Sequence, residues 1–471
     1  MQTTPATSLD DIYRTLRPEP LQTPEELAAF YRPEINELRG GDKMKNIRLR
    51  LNRAANDGIP FKACVMGHRG VGKSTELSRL IHQVEQKFST IRLSAMTALD
   101  PGNFRPLDVV ILMMIEIAEC TAKPVAQGGA GQAPSEFRLK EIRDWFAEDK
   151  TVQRQKRDMS ATVKAGAGVQ PDSLWGQVLG LFADLRGEMK YASTRETNVV
   201  EYRVSRLSSL IDVANNLLDE CNHLLKAGTG KQWLFVGEDF DKAGIPPTRI
   251  EELFITYANI FLDLRTHLIF NLPIGLYYSG NAPRLPFSGD CSFVIPDTPV
   301  YHPDHSPNQT GRDALQQVLQ ARIAPDLFEA DQMTRLIVAS GGNLRDLFSL
   351  VNYAADNALL REVADARISQ TDVDAAIINL RSDYERRLGQ SPFDKEEITF
   401  EEKASRLQRI YLGEKKAQIP DPILYALLNA RAVQEFNGQR WFGVHPLVVD
   451  ILANQNQIER FASGEAPGGS I

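Results

Sequence analysis

Phe61-Lys62-Ala63-Cys64-Val65-Met66 runs directly into Gly67-His68-Arg69-Gly70-Val71-Gly72-Lys73-Ser74-Thr75. An apolar helical stripe follows, Leu77, Leu80, Ile81 and Val84. The order is strand, glycine loop, helix, and Gly67 to Ser74 satisfy G-x-x-x-x-G-K-[ST] in full. Glycines let successive backbone N–H groups curl around a phosphate, and the helix that follows points its positive end at the anion. Lys73 is placed to reach β/γ-phosphates and Ser74 to put its hydroxyl on Mg²⁺. Gly67, His68, Arg69, Gly70, Val71, Gly72, Lys73, Ser74 and Thr75 are the candidate binding residues. A chance match in a flexible turn would lack the flanking strand and helix.

A phosphate loop needs acid from a second strand. Leu234-Phe235-Val236-Gly237 ends in Glu238-Asp239-Phe240-Asp241. The reading gives Glu238 a share of the Mg²⁺, through water, and makes Asp239 the group that orients or deprotonates an attacking water. A slip of one residue would hand the metal to Asp239. The bland alternative is a solvated acidic turn. Next, His267-Leu268-Ile269-Phe270-Asn271 ends an apolar strand in an amide able to polarise that water, set against an ordinary turn before Pro273. Ser340-Gly341-Gly342-Asn343-Leu344-Arg345-Asp346 opens a helix whose Arg345 can reach back to the loop, set against a helix cap with a surface arginine.

Further strands are read at Ile91–Leu93, Trp233–Gly237, His267–Leu272 and Ser292–Pro296, with helices between them at Pro106–Cys120, about Thr197–Ala227 and Ile250–Leu264. Strands alternating with helices predict an α/β layer on a mostly parallel sheet. After Pro307 the periodicity is helical only, over 311–322, 331–340, 344–361 and 370–387. The last part has helices near 401–412 and 422–430, then Asn437-Gly438 between two alternating runs, a strong hairpin signal. Residues 1–24 read as a loose N-terminal arm with a short helix around Leu9–Leu16, 25–308 as the core, 309–390 as a helical lid, 391–460 as a small module and 461–471 as a flexible tail. A helix start is read at Thr23, from Thr-Pro-Glu-Glu.

The 471 residues carry 54 Lys+Arg against 61 Asp+Glu, a formal charge of −7, which excludes a wholly basic nucleic-acid coat. The four cysteines are scattered without a CxxC, against a zinc module or a disulfide scaffold and consistent with a cytoplasmic protein. The longest apolar run, Val109–Ile115, is far short of a membrane span, so no membrane partner is expected.

Together the loop, the Glu-Asp-Phe-Asp after a strand, Asn271 and Gly-Gly-Asn-Leu-Arg resemble the Walker A, Walker B, sensor 1 and sensor 2 motifs of AAA+ and STAND ATPases. The lid followed by a hairpin module resembles initiator-like and STAND members, which end in a winged helix. The resemblance covers about 25–460 apart from 122–198. It implies a P-loop NTPase sheet with a helical lid and a winged-helix module. It also implies ATP and Mg²⁺ as cofactors and a switch that drives conformational change or assembly, in defence or signalling. The alternatives are a DNA-associated ATPase of the initiator or transposition-regulator kind and a scaffold with little hydrolysis. Expected partners are copies of the chain or another protein, with DNA through the C-terminal module as the alternative.

Two departures stand out. Glu238 replaces the usual Asp, and 165 positions separate Lys73 from Glu238, which places an insertion at about 122–200. By position Arg284 matches the arginine finger of such proteins, against a plain surface arginine. Residues 381–471 hold 12 basic and 13 acidic residues, a weak footprint for DNA, although Arg406, Arg409, Lys415 and Lys416 offer a patch and Arg440 sits beside Trp441 on the hairpin. The expectation favours protein docking, with Trp441 and Phe442 as contacts.

Overall fold

The computed structural model describes residues 3–153, 172–191, 205–242, 244–287, 289–389, 397–436 and 441–460. The core is five parallel strands: β1 (Lys62–Gly67), β2 (Phe88–Ser94), β3 (Gln232–Glu238), β4 (His267–Pro273) and β5 (Ser292–Val294). They lie in the order β2-β3-β4-β1-β5. The strand order jumps at β1, and ligands of open α/β sheets gather beyond the strand ends at such a point. Because β4 lies between β1 and β3, Asn271 stands opposite Val65 beneath the glycine loop, while Glu238 stands opposite Ser94 of β2.

Before the sheet come α1 (Pro24–Phe30), entered through a Thr23–Glu26 capping box as the sequence predicts, and α2 (Lys43–Asp57). With α3 (Lys73–Val84), α2 covers one face, where Ile47, Leu51, Leu77 and Leu80 meet Ala63, Val65, Leu234 and Val236. The other face is larger. There α4 (Pro106–Ala122) and α7 (Leu207–Thr229) pack together with α5 (Glu136–Gln153) and α6 (Leu174–Lys190), all in one apolar cluster.

The described parts of the inserted stretch are thus built largely of helix, and Trp145, Phe146, Phe182 and Met189 extend the main core. Its basic run 154–157 and the Ala165–Gly168 turn lie outside the described residues, as does the predicted start of α7 before 205. The single helix expected over 250–264 comes instead as Pro247–Glu251, a π turn at Glu252–Thr256 and Asn259–Asp263. Phe254 and Phe261, stacked 5.0 Å apart beneath Phe270, hold that break.

The lid is α8 (Gln309–Gln320), α9 (Gln332–Ala339), α10 (Leu344–Leu360) and α11 (Gln370–Leu388). After it come α12 (Phe400–Tyr411), α13 (Pro422–Asn429), the antiparallel pair β6 (Val433–Phe436) and β7 (Trp441–Val444), and α14 (Pro446–Asn454). The hairpin forms where expected. Its Asn437-Gly438 turn and Arg440 lie outside the described residues, as does the 461–471 tail.

Lid and C-terminal module share one core, and the N-terminal arm belongs to it too. Leu9, Ile12 and Leu16 are buried there, and Ala6 is tied to both Arg322 O and Ala324 N by backbone bonds of 2.7 and 2.8 Å. The arm is therefore a strap, not a loose end. The short helix read around Leu9–Leu16 forms as Leu9–Asp11 and Ile12–Thr15, and its apolar residues fill places in a core built by distant sequence.

Candidate nucleotide site at the strand tips

Gly72, at φ +99°, caps the start of α3 in the left-handed region, where a side chain is strained. Gly70, at φ +94°, needs its missing side chain for a second reason: a Cβ would lie 2.5 Å from that of Arg345. The lid helix α10 thus sits directly over the loop, and Arg345 N donates to Gly70 O at 3.3 Å.

Lys73 is almost fully buried. Its Nζ donates to Gly67 O and His68 O, both at 2.8 Å, and pairs with Asp241 Oδ2 at 2.7 Å. Burial works against both charges, and each partner opposes that. Lys73 stays below its ordinary value because desolvation dominates, and Lys73 with Arg69 holds the Asp241 carboxyl below its own. The Arg69 Nε also donates to Asp241 O.

The acid that meets the loop lysine is therefore Asp241, which the sequence reading quoted but gave no role. Glu238 turns instead to β2, where Arg92 grips it through Nε at 3.0 Å and Nη2 at 2.9 Å; burial still leaves its carboxyl above the ordinary value. Asp239 adopts φ +67° and accepts a hydrogen bond from Ser94 Oγ at 2.6 Å. That left-handed residue ends the strand alternation, so parity counted from β3 cannot locate Asp241. Phe240, buried edge-on among Phe104, Phe254 and Phe270, pins the turn between the two aspartates.

One cavity is lined by the loop from Arg69 to Glu76 together with Asp241, Asn271 and Arg345. Asn271 is buried and its Oδ1 has no hydrogen-bond partner, so a buried acceptor is left at this cavity. Such an atom costs free energy unless something satisfies it. Arg345 is partly buried and makes no ion pair among the described residues. Ser74 lines the cavity, whereas the Thr75 hydroxyl accepts from Leu21 N at 3.2 Å and so ties the N-terminal strap to α3. Arg284 lies apart, exposed on the short Ala282–Arg284 turn. Sequence reasoning also passed over Arg39. It is buried with its Nη1 on Val71 O and its Nε on Thr298 Oγ1, both at 3.0 Å.

The loop is joined from above by a buried polar network. Asn343 caps α10 by accepting from Arg345 N and Asp346 N, while its Nδ2 donates to Arg69 O at 3.0 Å and Asp297 Oδ1 at 2.9 Å. Arg431, just after α13, pairs with Asp346 at 3.0 Å and reaches Arg69 O at 3.3 Å. Tyr384 donates to Asp346 at 2.6 Å and stacks on His445 at 4.2 Å. Burial, aided by Arg431 and Lys73, pushes the His68 imidazole down to about 3, so it sits neutral inside this positive cluster.

On the hairpin, Phe442 is buried edge-on against Tyr278 at 5.1 Å, while Trp441 stacks on Phe436 within the module. The proposed basic patch is largely neutralised: Arg406 is held by Asp421, and Arg409 by Glu414 at 2.8 Å.

No protein-family model matches the chain. No curated protein matches it. Among solved structures it is similar to the Orc1 protein of Aeropyrum pernix in complex with DNA, at 13% identity and TM-score 0.34, over 91% of this chain and 97% of that one. It is also similar to Drosophila ORC bound to DNA, at 11% identity and TM-score 0.36, over 98% and 82%. A Walker-type ATPase of Pyrococcus abyssi gives 14% identity and TM-score 0.37, over 93% and 99%. Likenesses this distant leave the function to be argued from the chain's own residues. Among the described residues no helix is long and apolar enough to cross a membrane.

Proposed function

We propose that this chain is an ATP-binding and hydrolysing switch of the AAA+ kind, in which nucleotide sets the posture of the lid and C-terminal module. The observation that carries the reading is that Arg69 O, inside the phosphate loop, is bonded by both Asn343 of the lid and Arg431 of the C-terminal module. Any rearrangement of the loop around a triphosphate is felt by both.

The residues fit the ligand. Gly70 and Gly72 supply the loop conformation, Lys73 the buried cation, and Asn271 an unsatisfied amide oxygen at the cavity. Ser74 and the carboxylates around the β3 tip are hard oxygen donors, the kind that hold Mg²⁺ beside phosphates. Bound Mg²⁺ supplies charge neutralisation on the phosphates. The loop N–H groups and Lys73 bind the β/γ-phosphates. Asp239, steadied by Ser94, orients the attacking water and takes its proton. Arg345 senses the nucleotide from the lid, and Arg284, exposed on its turn, is the candidate to act on the site of a neighbouring copy.

Steady-state turnover with a parallel ATP-binding measurement tests this. Lys73→Ala is expected to lose binding, and Asp239→Asn to keep binding while turnover falls about a hundredfold or more, as expected for loss of a general base. Wild-type turnover in Asp239→Asn contradicts the assignment.

The partner separates two readings. Burial of the C-terminal module against the loop supports a module that restrains the ATPase and docks a protein partner. Two of the similar structures are described with DNA, which keeps the initiator-like reading beside the first. Affinity of the full chain for duplex DNA across a salt series decides, because phosphate contacts give a steep slope.

A further inference from the structure

Away from the phosphate loop, the same cavity is walled by the N-terminal strap and the lid: Leu21, Phe30, Val318, Leu344 and Phe348, with Arg322 among them. Arg322 is 5% exposed and among the described residues has no carboxylate partner. Its Nη1 donates to Phe30 O at 3.1 Å and Val318 O at 2.9 Å. The guanidinium carbon lies 4.9 Å from the Phe30 ring centroid and 5.1 Å from that of Phe348. Nε is buried without a hydrogen-bond partner.

A guanidinium carries five N–H donors in a fixed fork, and a buried arginine is ordinarily answered by an acid. Here two aromatic faces and two carbonyls answer part of it, and burial with nearby Arg32 pulls it down to about 9. Arg322 lines the cavity beside the apolar walls of Leu21, Phe30, Val318, Leu344 and Phe348, with Glu19, Tyr31 and Arg32 also at its rim. A flat heteroaromatic ring fits such walls, and an acceptor on its edge is what the cation lacks.

Resting on the nucleotide reading above, we propose that Arg322 is a specificity-determining residue that reads the purine base by donating to one of its ring nitrogens. The contrast with a phosphate role is built into the placement. Arg322 neighbours Phe30 and Phe348 and not the Lys73–Asp241 pair. Its backbone O also anchors the strap at Ala6, so the base, the strap and the lid meet at this one residue.

Two arms test this on the full chain by equilibrium binding. In the first, unmodified protein is titrated with ATP and with its 1-deaza, 3-deaza and 7-deaza analogues. One analogue is expected to bind about tenfold or more weakly, because a site built to donate a hydrogen bond rejects a ligand lacking the acceptor. Equal binding of all four overturns the proposal without any concern about folding. In the second, Arg322→Met is compared with the unmodified chain for ATP and for inorganic tripolyphosphate. ATP binding is expected to fall about tenfold or more with tripolyphosphate unchanged. An equal loss on both ligands overturns the base-reading role. If the unmodified chain binds neither ligand, the nucleotide reading itself fails.

Discussion

At the scale of single residues, Asp241 is the most informative side chain. It and Lys73 are both buried, so each is tolerated only because of the other. Breaking a buried pair by removing one charge costs about 3–5 kcal/mol. Asp241→Asn is therefore expected to lower the stability of the nucleotide-free chain by about that amount, and saturating Mg-ATP to recover part of the loss as phosphate takes over the lysine. Glu238→Gln, whose Arg92 partner is a third exposed, should cost about 1 kcal/mol or less. Denaturant titrations of the two variants check this. Equal stability losses would mean that the two acids are equivalent and that Asp241 has no special tie to the loop.

At the scale of elements, the loop, its strand and its helix were legible because glycine spacing and flanking periodicity are local properties. Asn271 and Arg345 were legible for the same reason, each sitting at an element's end. Asp241 was not, because the left-handed turn at Asp239 resets the alternation on which a strand reading depends. Arg322 and Arg39 were not, because each lies in an unremarkable turn just past the end of a helix and gains meaning only from what chain folding brings beside it. The N-terminal arm was misjudged likewise, since its burial depends on lid helices more than three hundred residues away.

The same logic singles out the segment after α13. Arg431 there adopts φ +61° and joins Asp346, Tyr384 and the loop carbonyl. Arg431→Met is expected to lower the stability by about 3 kcal/mol and to raise basal turnover at fixed ATP, since the module no longer restrains the loop. Lower stability with unchanged turnover would reduce the network to a structural role.

Across the whole molecule, the sheet supplies a rigid floor, and the lid and the C-terminal module above it both bond one backbone carbonyl, Arg69 O. Lid and C-terminal module share a core, so they respond as one body, and the strap runs from that body to α3 through the Leu21–Thr75 bond. The cavity lies between them. A ligand that reorders the loop therefore has a direct mechanical route to the C-terminal module, and local opening is read by backbone amide exchange. The decisive measurement is hydrogen exchange on the full chain with and without Mg-ATP, following peptides that contain 343–348 and 428–436, with Lys73→Ala as control. The account predicts altered protection in both peptides for the unmodified chain and none for Lys73→Ala. ATP binding that leaves both peptides unchanged would contradict it.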